Sequence, residues 1–175
     1  NSAAALLTVL PTFPIAEAID NGDFVWTTGS PGWIGQNLTT FDGVDAVKSP
    51  TTAHSGSATM QATVTGPGTV QFVWKVSSQT NSGAGGDELT FFTNNAALAR
   101  ISGEVDWQAR SFSLLPGSQI VKWTYAKNGS VTNGQDRGWV DQFVFIPTAP
   151  SITASPVGTN VDQGASATFS ASVYG

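Results

Sequence analysis

Polar and apolar residues alternate along most of this 175-residue chain, and helical spacing is nearly absent. Ala58, Met60, Ala62 and Val64 face one way while Thr59, Gln61, Thr63 and Thr65 face the other, the period-two pattern of a half-buried strand. After Gly66-Pro67-Gly68 the alternation resumes, with Val70, Phe72, Trp74 and Val76 set against Thr69, Gln71, Val73 and Lys75. This reads as a β-hairpin with a Gly-Pro-Gly connection. Further strands are predicted over 89–93, 98–102, 107–114, 119–126 and 139–146, with Val121, Trp123 and Tyr125 sharing one face. Turns are expected at Asn94-Asn95 and Pro116-Gly117, and loops over 81–86 and 127–136. Ala16–Ile19 is long enough for one helical turn at most. About eight short strands with no βαβ pattern predict an all-β antiparallel jelly-roll β-sandwich that buries the Trp and Phe faces between its sheets.

Composition narrows the function. Hydrophobic residues make up 40% of the chain, enough for a packed core, but charged residues only 11%, so hydroxyls and amides carry the surface polarity. That is the profile of an extracellular or cell-surface β-protein. The net charge is −5, and the seven Lys and Arg are scattered, which argues against nucleic acid as a partner. There is no Cys, which excludes thiol catalysis and thiolate metal sites. The longest apolar run, near Ala3–Leu10, is too short to span a bilayer, so no membrane insertion is expected.

The chemistry-bearing residues suggest binding more than catalysis. His54 is the only His and precedes Ser55-Gly56 in a turn; no G-x-S-x-G elbow exists to present a nucleophile. Asp87, Glu88, Glu104 and Asp106 offer carboxylate pairs, but nothing brings a pair across a cleft. The reading is therefore non-enzymatic. Trp33 and Trp107 stand in loop or strand-edge contexts and are the candidates for an exposed sugar-stacking platform, whereas Trp26, Trp74, Trp123 and Trp139 are expected to face the core. Asp141 is expected to share a face with Trp139, Phe143 and Phe145, where a carboxylate needs a hydrogen-bonding or metal partner. Asp42, Asp45, Asp87 and Asp136 read as solvated turn residues.

Three segments, Asn21–Trp33 (NGDFVW…GW), Ala53–Gln61 (AHSGSATMQ) and Gly134–Phe145 (GQDRGWVDQFVF), resemble jelly-roll carbohydrate-binding modules and the repeat domains of large bacterial surface proteins. The resemblance covers most of residues 15–147. It implies a structural calcium ion held by the closing-strand Asp141 together with Asp20 and Asp23 of the opening turn, although Val25 stands where such modules place a Glu. The flanks resemble pieces of immunoglobulin-like domains. Residues 1–12 look like a last strand and linker, residues 13–147 like the sandwich, and residues 148–175 like a linker and first strands, with Asp162-Gln163-Gly164 as a turn.

The leading expectation is an extracellular adhesive repeat module that binds glycan and is stabilised by calcium. A second is a filament subunit, in which Leu6, Leu7 and Val9 of one copy complete a sheet with Ile152, Val161 and Phe169 of another. A third is a carbohydrate-binding module of a secreted glycoside-active enzyme.

Overall fold

The computed structural model describes residues 13–81, 86–154 and 157–174. The expected strand carrying Leu6, Leu7 and Val9, and most of the predicted loop 81–86, lie outside the described residues. Along the chain run α1 (Ile15–Ala18), β1 (Thr27–Thr28), β2 (Ile34–Gln36), β3 (Ala46–Lys48), β4 (Ser57–Ser77), β5 (Glu88–Thr93), β6 (Ala96–Ile101), β7 (Glu104–Ala126), β8 (Arg137–Pro147), β9 (Ser151–Ala154) and β10 (Ser172–Tyr174). The first eight strands form one antiparallel hydrogen-bonded network in the order β2-β3-β8-β4-β7-β5-β6, with β1 added against β4.

The two long strands make this network a sandwich. β4 and β7 pair along nearly their whole length, Ser57↔Ala126 through Gly66↔Gly117 and then Gly68↔Leu114 through Ser77↔Glu104. Trp123 pairs opposite Met60, twelve residues before Phe72, a separation of about 40 Å in a straight strand. Yet the Phe72 and Trp123 ring centroids lie 5.0 Å apart. The β4–β7 ribbon therefore folds over at its middle. Residues 68–77 of β4 and 104–114 of β7 join β2, β3 and β8 in one layer; residues 57–66 and 117–126 join β1, β5 and β6 in the other. This is the antiparallel jelly-roll β-sandwich that the alternation predicted.

Two local expectations are corrected. The chain does reverse at Gly66-Pro67-Gly68, but the arms on either side lie in opposite layers and pair with β7, not with each other. Pro116-Gly117 likewise does not end a strand but is the matching corner in β7. The glycines are needed because the two corners press together. A Cβ on Gly66 would collide with the Leu115 carbonyl oxygen, and one on Gly68 with the Phe145 ring.

Between the layers Phe72, Phe91, Trp123 and Phe143 form an aromatic centre, with centroid separations of 4.8 Å (Phe72–Phe91), 4.9 Å (Phe91–Trp123) and 5.7 Å (Trp123–Phe143). Ala58, Met60, Ala62, Val64, Val70, Trp74, Val76, Val121 and Tyr125 are buried around them, as their alternation required. The Ile19 carbonyl accepts the Phe143 N–H at 2.9 Å, fastening the α1 segment to β8.

Beyond the sandwich, β9 and β10 form a separate two-stranded antiparallel sheet. The expected turn at 162–164 is present, with Ala165 N–H donating to the Asp162 carbonyl at 3.0 Å and Gly164 at φ +89°. Ile152, Val161 and Phe169 are exposed by 66%, 49% and 55%, so about half or more of each stays uncovered.

Candidate functional site

On the outer face of the layer containing β8, alternate residues of three adjacent strands point away from the core. Gln71 and Val73 come from β4, Ala109 and Ser111 from β7, and Gln142 and Val144 from β8. With Phe41 and Arg110 they line a groove of roughly 650 Å³. Val73, Ala109 and Val144 make an apolar floor, and Gln71, Ser111 and Gln142 bring amide and hydroxyl groups to its edges, while the Arg110 guanidinium lies over the Trp74 ring. Phe41 is 48% exposed and meets the half-buried Trp107 edge to face, with ring centroids 6.0 Å apart.

The loop carrying Phe41 is built by Gln36. Its side-chain amide donates to the carbonyls of Thr39 (2.8 Å) and Ala46 (3.2 Å), and its oxygen accepts the N–H groups of Leu38 and Thr39, both at 2.9 Å. Asp42 Oδ1 accepts the Val44 N–H at 2.8 Å and so turns the chain, the role expected of it. The loop is then pinned to the sheet, because Phe41 N–H donates to Asp141 Oδ2 at 2.8 Å.

Asp141 is fully buried, but not on the face expected. Gln142 sits at φ +50° in a bulge that inserts an extra residue into β8 opposite β4. The bulge shifts the alternation by one. Asp141 stays on the outer side with Trp139, while Phe143 and Phe145 point into the core. Its other oxygen accepts the Gln142 N–H at 2.8 Å. Burial, assisted by the charges of Asp42 and Asp20 and opposed by the two N–H groups, pushes its pKa up to about 6. Nearby, Asp45 is 3% exposed, not solvated as its turn-like context suggested, and its Oδ1 is buried with no hydrogen-bond partner. Burial, followed by the charges of Asp20, Asp42 and Glu17, raises its pKa as well.

Of the three residues expected to hold calcium, Asp20 belongs to this acidic cluster with Asp141. Asp23 stands apart, on an exposed turn where its N–H donates to Asn21 Oδ1, lining a different depression with Phe24 and Gln61. Among the described residues no three acidic or His side chains are drawn close enough to hold a metal by themselves. The charges of Asp20 and Asp42 reach both Asp45 and Asp141, and one oxygen of Asp45 is buried without a hydrogen-bond partner.

The Trp platform is also redrawn. Trp33 is 2% exposed, buried in the core cluster, so it presents no stacking face. The Thr28 hydroxyl accepts its backbone N–H at 2.8 Å. Trp26, expected in the core, is only half-buried, its indole N–H donating to the Asn21 carbonyl at 3.0 Å. Of the predicted pair only Trp107 stands near the groove, where it does not line the wall but braces the lining residue Phe41, which was overlooked. A lone aromatic in the Asn-, Asp- and Gly-rich stretch 37–43 was the available signal.

The fold and the groove define an antiparallel jelly-roll sandwich with an aromatic-walled surface cleft. No protein-family model matches this sequence, and no curated protein matches it. Solved structures do. The secreted serine protease VesC from Vibrio cholerae overlaps 79% of this chain at TM-score 0.56 and 12% identity, and the overlap covers 28% of the VesC chain. At that identity the likeness shows the fold alone. The K3 cleaved adhesin domain of Lys-gingipain from Porphyromonas gingivalis overlaps 70% of this chain and 91% of its own (TM-score 0.49, 13% identity). A family 11 carbohydrate-binding module from Clostridium thermocellum, in complex with a β-1,3-1,4-mixed-linked tetrasaccharide, overlaps 78% and 94% (TM-score 0.45, 12% identity).

Proposed function

We propose that this domain is a non-enzymatic, extracellular glycan-binding module that works by adhesion, with the groove beneath Phe41 and Trp107 as its binding surface. The observation that carries the reading is the groove's construction. An apolar floor and an aromatic wall suit the C–H faces of a pyranose ring, and Gln71, Gln142 and Ser111 at the rim suit its hydroxyls. Retention of the full chain on a panel of immobilised polysaccharides tests this, with Trp107→Ala as the control. Binding to at least one glycan that is lost in the variant supports the reading. No retention on any glycan, or retention indifferent to Trp107, sinks it.

Calcium enters this reading as a stabiliser. Asp45 and Asp20 would hold the ion, with Asp141 beside them, and its charge would offset the mutual repulsion of the cluster. It would take no part at the groove.

A second reading, self-association through the terminal strands, is favoured by the exposure of Ile152, Val161 and Phe169. Light scattering on the full chain tests it. Polymers that dissociate when Phe169 and Ile152 are both changed to Ser support strand exchange, and a monomer at high concentration excludes it.

A further inference from the structure

Outside the groove, the chain buries one Lys against two Asp. The Lys127 side chain is 2% exposed, that of Asp87 is fully buried and that of Asp136 is 12% exposed. Lys127 Nζ contacts Asp136 Oδ2 and lies 3.5 Å from Asp87 Oδ2. Asp136 Oδ1, Asp87 Oδ2 and the neighbouring Tyr125 hydroxyl are all buried with no hydrogen-bond partner. As a structural ion pair this is a poor arrangement. Two carboxylates face one ammonium, three polar atoms are unsatisfied, and a pair of aliphatic residues would serve the core as well.

The backbone, in contrast, holds the three groups firmly. Lys127 N–H donates to the Gly56 carbonyl (2.9 Å), the Asn128 carbonyl accepts the Ser55 N–H (2.8 Å), and Asn128 N–H donates to Asp87 Oδ1 (2.9 Å). Asp136 sits at φ +51° between Gln135, whose N–H donates to Ser77 Oγ (2.9 Å), and Arg137, whose guanidinium donates to the Pro50 carbonyl (3.2 Å). An amine fixed against a carboxyl group, with a second carboxyl in reach of the same nitrogen and little access to solvent, is the geometry of an intramolecular condensation.

We propose that Lys127 and Asp136 join covalently, Lys127 Nζ to Asp136 Cγ, with Asp87 carrying the proton, so that a side-chain amide closes the loop between β7 and β8. Asp87 Oδ2 takes a proton from the Lys127 ammonium and passes it to an oxygen of the Asp136 carboxylate, and the freed amine attacks Asp136 Cγ. In the tetrahedral intermediate the nitrogen gives up its second proton, again through Asp87, to the departing hydroxyl, which leaves as water, so that the ammonium's three protons end as two in water and one on the amide and Asp87 ends as it began. One C–N bond forms, one C–O bond breaks and one water is released. No oxidant, metal or co-reactant is required. Asp136 is the electrophile because it touches Nζ; Asp87, deeper and held at its other oxygen by Asn128, is placed to shuttle the proton.

The test is the intact mass of the folded full chain, followed by tryptic mapping. The bond predicts a mass one water below that of the sequence. It also predicts failure of trypsin to cut after Lys127, with the deficit confined to peptide 123–137, which contains both partners. Asp87→Ala should restore the full mass. Asp136→Asn should give a product identical in mass to the mature wild type, because the same amide then forms with loss of ammonia; a merely structural role predicts no such convergence. An unmodified wild-type mass with normal cleavage at Lys127 overturns the proposal without recourse to any variant. A lost water mapped elsewhere, as to a cyclised Asp42-Gly43, or a cross-link to Asp87, overturns it equally.

Discussion

The backbone N–H of Phe41 donates to Asp141 Oδ2 at 2.8 Å, so the aromatic wall of the groove is fastened to a carboxylate buried beneath it. Asp141 lies one hundred residues from Phe41 in the chain and is not among the groove-lining residues. It is a positioning residue. Asp141→Ala would leave the Phe41 and Gln142 N–H groups without their acceptor, costing about 2 kcal/mol of stability. It would also loosen the wall. The expected result is glycan affinity reduced several-fold with the contacts themselves unaltered, measured by calorimetry against wild type; unchanged affinity would mean the loop holds its shape alone.

The two Trp first assigned to one platform should now behave oppositely. Trp107→Ala removes the ring that braces the groove residue Phe41 and should weaken glycan binding by about 2 kcal/mol, roughly 30-fold, with a small change in melting temperature. Trp33→Ala empties a core position and should cost about 3–5 kcal/mol of stability, while the folded fraction binds normally. Paired denaturation and binding curves distinguish the two.

Asp141 also sets a pH dependence. Its folded pKa, about 6, stands above the ordinary Asp value, so the folded state binds its proton more tightly than the unfolded chain does. The stabilisation is fully present below the ordinary Asp range and is lost as pH rises through about 6. Without calcium, urea denaturation should therefore show a component falling with pH by about 3 kcal/mol in all, of which about 1 kcal/mol is lost between pH 5 and 7. Asp141→Asn should flatten that component.

Calcium should oppose the same repulsion. At a concentration one hundredfold above its dissociation constant, a bound ion adds about 2.7 kcal/mol. Thermal melts with calcium or a chelator are expected to differ in wild type and to coincide in Asp45→Asn. Coincidence in wild type would remove calcium from the account.

The corner where β4 changes layer should tolerate no side chain. Gly68→Ala drives a methyl into the Phe145 ring and should destabilise by about 1–3 kcal/mol, with the strand interior on either side intact. A neutral result in chemical denaturation would mean that the corner can open.

How much of this was legible depended on how local the cause was. The buried faces of β4 and the second half of β7 could be read because a strand's period of two is written in neighbouring residues: Met60, Phe72, Trp74 and Trp123 all went where alternation sent them. The turn at Gly66-Pro67-Gly68 was visible, but a hairpin and a fold from layer to layer use the same residues there. Only the partner strand decides between them, and its corner at Pro116-Gly117 lies fifty residues away. The face of Asp141 was misread because one left-handed residue, Gln142, resets the alternation, and nothing about a Gln announces it.

The acidic residues mark the same limit. Asp42 lies exposed in its turn, as its neighbours implied, but Asp45, Asp87 and Asp136, in equally polar stretches, are buried. By itself the sequence determined the long strands from residue 57 onward, the apolar faces that must meet and the sandwich class, because propensity and alternation act within a few residues; the three-residue strands β2 and β3 are too short for a period to show. Tertiary structure alone decided that Phe41 would stand beside Trp107, that Trp33 would be buried, and that Lys127 would meet Asp87 and Asp136. Those meetings depend on which layers the folded ribbon brings together, and no local pattern encodes them.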